Sequence, residues 1–143
     1  MKTILITGST SGIGLGIAIE FAKTKQYNIV FNGLETNGQE IADGIAKQYG
    51  IEVMYSNANM LQPAELRKMV ADAVTKFGKI DVLVNNAGIQ FVSPIEDFPE
   101  DKWDAIIGIN LTSAFHLTKA VWKGMKERKF GRVINIASAH GLV

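Results

Sequence analysis

TILITGSTSGIG, residues 3–14, passes directly from an apolar run into glycines and hydroxyls. Thr3–Thr7 is almost continuously apolar, the pattern of a strand buried on both faces of a parallel sheet. A helical pattern follows from about Ile13 to Thr24, with Ile13, Ile17 and Phe21 on one face. Between them Gly8, Gly12 and Gly14 give the spacing G-x3-G-x-G, not the more familiar G-x-G-x-x-G. Glycines let a ligand approach the main chain closely, and the helix start beyond offers free N–H groups and a positive dipole end. A turn that only packs helix on strand hardly needs four glycines and four hydroxyls in the ten residues Thr7–Gly16. The loop is read as a phosphate cradle.

The same alternation continues outward from this unit. Further strands are expected at Tyr27–Asn32, Ile51–Ser56, Ile80–Asn85 and Arg132–Ala137. A helix opens at a capping box, Thr36-Asn37-Gly38-Gln39, and ends near Gly50. Pro63 starts another, whose stripe Leu66, Met69, Val70, Ala73, Val74, Phe77 ends at Gly78. One long helix is expected from Pro99 to Arg128, with Trp103 and Trp122 as packing residues. Strand–helix alternation implies right-handed βαβ units and a doubly wound parallel α/β sheet, strand order 3-2-1-4-5. With that handedness the last two strands lack cover on the face of the first two helices. Val82–Val84 and Val133–Ile136 should then meet water, and the isolated chain should associate.

Composition narrows the function. The 143 residues carry 15 basic and 14 acidic side chains with no run of like charge, which argues against a nucleic-acid surface. With no cysteine and only His116 and His140, a metal site is not expected. No stretch of about 18 apolar residues exists to span a membrane, and no signal peptide is visible, so the cytoplasm is the default.

Which phosphate ligand fits follows from two further loops. No G-x4-G-K-[ST] occurs, which disfavours a nucleoside triphosphate. In a dinucleotide-binding sheet the end of the second strand meets the adenosine ribose. Here it reads Asn32-Gly33-Leu34-Glu35, with an acid and no cation for a 2′-phosphate, which favours NAD. Asn85-Asn86-Ala87-Gly88 follows the fourth strand, at the switch point. Asn110 interrupts the apolar stripe Trp103, Ile106, Ile107, Leu111, Ala114; it either satisfies neighbouring backbone or holds a water or catalytic group.

The glycine loop, the NNAG turn, the helical Asn110 and the strand-borne Ser138 together resemble the short-chain dehydrogenase/reductase family, over the whole chain. Within it, NNAGIQ, IEDFP, Phe115-His116 and INIASAHGLV are similar to the bacterial D-3-hydroxybutyrate dehydrogenases. The resemblance implies a single NAD-binding Rossmann domain over residues 1–143, incomplete at its carboxyl end: a fragment lacking the last helices and strands. It implies an NAD-dependent oxidoreductase of ketone-body metabolism, interconverting 3-hydroxybutyrate and acetoacetate, whose complete members are homo-oligomers. Ser138 would hydrogen-bond the substrate oxygen and Asn110 would hold a relay water, while Gln90 and His140 would bind the substrate carboxylate. Gly8, Thr10, Ser11, Gly12, Ile13, Gly14, Leu34, Asn59, Met60, Asn86, Ala87 and Gly88 would line the cofactor site. Asn59 stands where the family commonly has an aspartate toward the adenine.

Ketone reduction needs a hydride from the cofactor and a proton from the protein. In the family a tyrosine supplies the proton, helped by a lysine four residues on. Tyr27, Tyr49 and Tyr55 are followed at that spacing by Phe31, Val53 and Asn59. The polypeptide is therefore expected to be inactive alone. Hydrolysis by Ser138 and His140 is disfavoured, since Ala137-Ser138-Ala139 lacks the glycines of a nucleophile elbow. His116 reads as surface or interface packing, and Glu96, Asp97, Glu100 and Asp101 suit a helix start. The alternative is a non-catalytic dinucleotide-binding module or inactive remnant.

Overall fold

The computed structural model describes residues 1–142. Its strands are β1 (Lys2–Ile6), β2 (Tyr27–Asn32), β3 (Val53–Ser56), β4 (Val82–Asn85) and β5 (Arg132–Asn135). Its helices are α1 (Gly12–Thr24), α2 (Gly38–Tyr49), α3 (Pro63–Phe77), α4 (Glu100–Ile107) and α5 (Ser113–Arg128). All strand pairs are parallel, in the order β3-β2-β1-β4-β5. This is the doubly wound sheet that the alternation dictates.

Strand alternation divides the core in two. Ile4, Ile6, Ile29, Phe31, Val82 and Val84 pack with Ala18 and Ala22 of α1 and Ala42 and Ile45 of α2. Leu5, Val30 and Leu83 face the other way, onto Leu66, Met69 and Val70 of α3 and Leu117 and Val121 of α5. Left-handed residues stop the helices at Lys25, Gly50, Gly78 and Lys129.

Several local expectations are corrected. Helix α1 packs most closely through Gly14, Ala18 and Ala22; of the expected face, Ile17 and Phe21 pack against the same cluster, but Ile13 is 70% exposed. Small side chains at i, i+4 and i+8 let the helix approach the sheet closely. Its flanking Leu15 and Ile19 join the same cluster as Val82 and Val84. Strand β4 is thus covered on both faces, contrary to expectation, and only β5 is bare on the α1 side, its Val133 packing on the opposite cluster. Ile134, in register with Val84, is 42% exposed, and Ile136 is 41% exposed.

The capping box does not form: α2 begins after Asn37 with no side-chain cap, and Gln39 donates to Asp43 instead. Gly38 there makes room for the Tyr55 ring, which a Cβ would strike. The long helix is interrupted between α4 and α5 by a π turn, Gly108–Thr112, that contains Asn110. Its apolar stripe is not buried; Trp103 and Trp122 are 55% and 58% exposed and outside the core, although Trp103 meets the Phe98 ring edge-to-face at 6.4 Å.

Candidate functional site

Three loops meet at the carboxyl edge of the sheet, and buried polar groups knit them together. The Thr7 hydroxyl accepts from the Asn86 and Ala87 N–H groups, both at 2.9 Å. The Asn86 amide donates to the Thr7 and Gly8 carbonyls at 3.0 and 3.2 Å. Asn32 is fully committed: its Oδ1 accepts from Gly8 N–H at 3.1 Å, and its Nδ2 donates to the Ser56 and Ala58 carbonyls at 3.2 and 3.0 Å. Ser9 exchanges two bonds with the Asn32 backbone. Thr7, Ser9 and Asn32 were not singled out by the sequence; long-range partners give their roles.

These loops enclose a cleft of about 450 Å³. Its wall includes Gly8, Ser11, Gly12, Ile13, Leu34, Asn59, Met60, Asn86, Ala87 and Gly88, ten of the twelve expected cofactor contacts. Thr10 and Gly14 lie beneath instead. A Cβ at Gly14 would overlap the Gly8 carbonyl and come within 2.5 Å of Asn86 Nδ2, so this glycine serves close packing. Gly8 and Gly12 have φ of 59° and 56°, and a Cβ on Gly12 would meet open space. Ser11 makes no side-chain cap, so the first N–H groups of α1 remain for a ligand. Asn59 turns its Oδ1 to Leu61 N–H at 2.9 Å while its own N–H donates to Glu65. The residues present fit a dinucleotide: a glycine-lined wall, a helix amino end and an apolar patch of Leu34, Met60 and Ile109.

Glu35 also lines this cleft. The Thr10 hydroxyl donates to its Oε2. That bond first, then the Glu35 N–H and, more weakly, the Ser11 and Leu34 donors, hold its carboxyl below the usual carboxylate range against the opposing effect of burial. Tyr55 donates to the Gly33 carbonyl at 2.8 Å; burial raises its phenol, and the Glu35 charge adds to this. A larger hollow, about 620 Å³, lies at the opposite edge among Lys2, Lys25, Lys79 and Arg128. Helix carboxyl ends converge there, and cations answer their dipoles.

The expected substrate residues lie outside the wall of the cleft. Asn110 bonds both backbone polar groups of Ile89, a residue that does line it. Gln90 is exposed in the loop that follows. Ser138 is exposed and opens a short 3-10 turn, Ala139–Gly141; its oxygen accepts the His140 N–H at 3.1 Å, leaving the hydroxyl proton to donate. Among the described residues, no cluster of three potential metal ligands occurs, and no helix is long and apolar enough to cross a membrane.

A family model described as short chain dehydrogenase matches residues 2–143. D-beta-hydroxybutyrate dehydrogenase of Cupriavidus necator is 53% identical over 99% of this chain and 55% of its own length. The Rhizobium meliloti protein of the same name is 49% identical, with the same coverage. The chain thus spans about half the length of these curated relatives. Among solved structures, L-sorbose reductase of Gluconobacter frateurii, complexed with NADPH and L-sorbose, superposes with a TM-score of 0.93 at 31% identity. That match covers 99% of this chain and 54% of the reductase. An alcohol dehydrogenase of Thermococcus sibiricus, complexed with 5-hydroxy-NADP, gives 0.89 at 26% identity, covering 94% of this chain and 57% of that one.

Proposed function

The chain belongs to the short-chain dehydrogenases, and from that premise we propose that it is the dinucleotide-binding part of an NAD-dependent oxidoreductase interconverting 3-hydroxybutyrate and acetoacetate. The observation that carries the cofactor choice is Glu35, an ionised carboxylate in the wall of the cleft with no cation paired to it among the described residues. Both NADP-type complexes above belong to other proteins; their likeness supports a dinucleotide, and Glu35 favours the form without a 2′-phosphate. The two hydroxybutyrate dehydrogenases support the substrate class.

Bound NAD would accept or return the hydride. The chain's own residues bind and orient. The α1 amino end and the Gly8–Gly12 backbone hold the pyrophosphate, and Asn86, Ala87 and Gly88 border the ribose. Ser138 donates its free proton to the substrate oxygen. Gln90 and His140 take the carboxylate, and Asn110 fixes the Ile89 loop and the relay water beside it. No Tyr-x-x-x-Lys occurs in these 143 residues. Tyr55, the tyrosine nearest the cleft, is committed to the Gly33 carbonyl. This polypeptide therefore binds NAD but does not turn over alone. The complete assembly is a cytoplasmic homo-oligomer.

Equal-salt titrations with NADH and NADPH test the cofactor, and equal or tighter NADPH binding rejects NAD. Oxidation of 3-hydroxybutyrate should be absent for the chain alone. It should appear when the remaining half of the Cupriavidus necator relative is supplied, and vanish again with Ser138→Ala. Cofactor binding with no turnover in that complemented assembly would instead establish a non-catalytic module. Turnover by the chain alone, lost on His140→Ala, would make the histidine the acid.

A further inference from the structure

We propose that Thr10 is a positioning residue for cofactor selectivity: its buried hydroxyl clamps the Glu35 carboxylate above Gly33, and the clamped charge bars a 2′-phosphate from the cleft. The inference rests on reading the cleft as an NAD site, and assigns its selectivity to a residue outside its wall. Thr10 is 3% exposed, does not line the cleft, and sends its hydroxyl across 25 residues of sequence to Glu35 Oε2. Glu35 itself is exposed and does line it. An exposed glutamate ordinarily samples many rotamers and presents a diffuse charge. Here one buried donor selects a single placement, by a charge-assisted bond stronger than a neutral one.

The surroundings are shaped for that placement. A Cβ at Gly33 would overlap both Thr10 Oγ1 and Glu35 Oε2, so only glycine leaves room for the pair to meet. The Tyr55 hydroxyl holds the same turn through the Gly33 carbonyl at 2.8 Å. Groups facing the carboxylate are neutral donors: the hydroxyls of Thr10 and Ser11 and the N–H groups of Leu34 and Glu35. Tyr55, the titratable group facing it from β3, stays protonated at neutral pH. The charge therefore remains uncompensated and faces the ligand.

The test compares NADH and NADPH affinities of the full chain for wild type, Thr10→Val, Thr10→Ser and Glu35→Gln, and follows the Glu35 carboxyl by carbon NMR through an acid titration. Wild type should prefer NADH, and Glu35→Gln should remove most of that preference. Thr10→Val should lower it about tenfold, the low end for losing one hydrogen bond to a charged group. It should also let the Glu35 pKa rise toward the ordinary range, and Thr10→Ser should restore both. Thr10→Ala removes the same hydroxyl and serves where the valine variant does not fold. A wild-type chain without preference overturns the NAD reading and this proposal with it. A wild-type preference left intact by loss of the Thr10 hydroxyl overturns the proposal alone.

Discussion

Asn110 holds Ile89 by both of its backbone polar groups: Oδ1 accepts the Ile89 N–H at 2.8 Å and Nδ2 donates to the Ile89 carbonyl at 2.9 Å. The pair ties the loop after β4 to the π turn between α4 and α5. A π turn inserted in an α-helix commonly marks a functional position, and this one contains the residue that fixes a wall of the cleft.

Asn110→Ala should free that loop. Each lost hydrogen bond is worth about 0.5–1.5 kcal/mol, at the low end for exposed groups. Hydrogen exchange at the Ile89 amide should accelerate strongly. Asn110→Asp retains the acceptor but places a charge against the Ile89 carbonyl, so the amide should stay partly protected while stability falls. Unchanged exchange in Asn110→Ala would show that the loop is held by other means.

Two glycines of α1, two residues apart, should respond oppositely to alanine. At Gly14 a Cβ meets the Gly8 carbonyl and the Asn86 amide, whereas at Gly16 it meets nothing within 4 Å. Gly14→Ala should cost about 1–3 kcal/mol or more and weaken dinucleotide binding. Gly16→Ala should stabilise by about 0.5–1 kcal/mol through helix propensity. Denaturant melts of the two variants decide the matter.

The uncovered face of β5 should make the isolated chain associate. Ile134 and Ile136 are two-fifths exposed, and β5 is an unpaired edge of the sheet. Ile134→Lys with Ile136→Lys should shift light scattering toward monomer at little cost in stability. Val84→Lys, on the same face but 1% exposed, should unfold the protein. A wild-type monomer that melts cooperatively at micromolar concentration would contradict the expectation.

Acid should weaken the Thr10–Glu35 pair. The folded-state pKa of Glu35 is lowered, so its contribution is present above the ordinary carboxylate value of 4.5 and is lost as pH falls through the lowered one. The group is largely exposed, so the effect is small. Glu35→Gln should flatten that part of the stability profile, with a small loss at neutral pH, where the contribution is fully present, and none in acid, where it is already gone. NADH preference should also fade toward acid, beginning near pH 6 as a 2′-phosphate itself takes up a proton, by analogy with phosphorylated side chains.

The sequence alone determined the strand order, the two-faced helical cover and the position of the cleft. Period-two runs, helical stripes and glycine-rich turns are local signals, and right-handed crossovers leave little freedom once they are placed. Ten residues of the cleft wall were legible through the family resemblance, and they lie in the loops after β1 to β4 and in the first turn of α1. What a side chain does within that frame depends on partners far along the chain, and the tertiary structure alone decided it. Thr10 looked like a ligand contact, yet its hydroxyl is spent on Glu35, brought beside it by the pairing of β1 with β2. Asn110 could have served its own helix, but the fold presents Ile89 to it instead. On α1 the centre of the contact falls on Gly14, Ala18 and Ala22, which let the helix approach the sheet closely, while Ile17 and Phe21 of the expected face pack at its flank and Ile13 is left exposed. Periodicity names the faces of an element; packing decides which face is used.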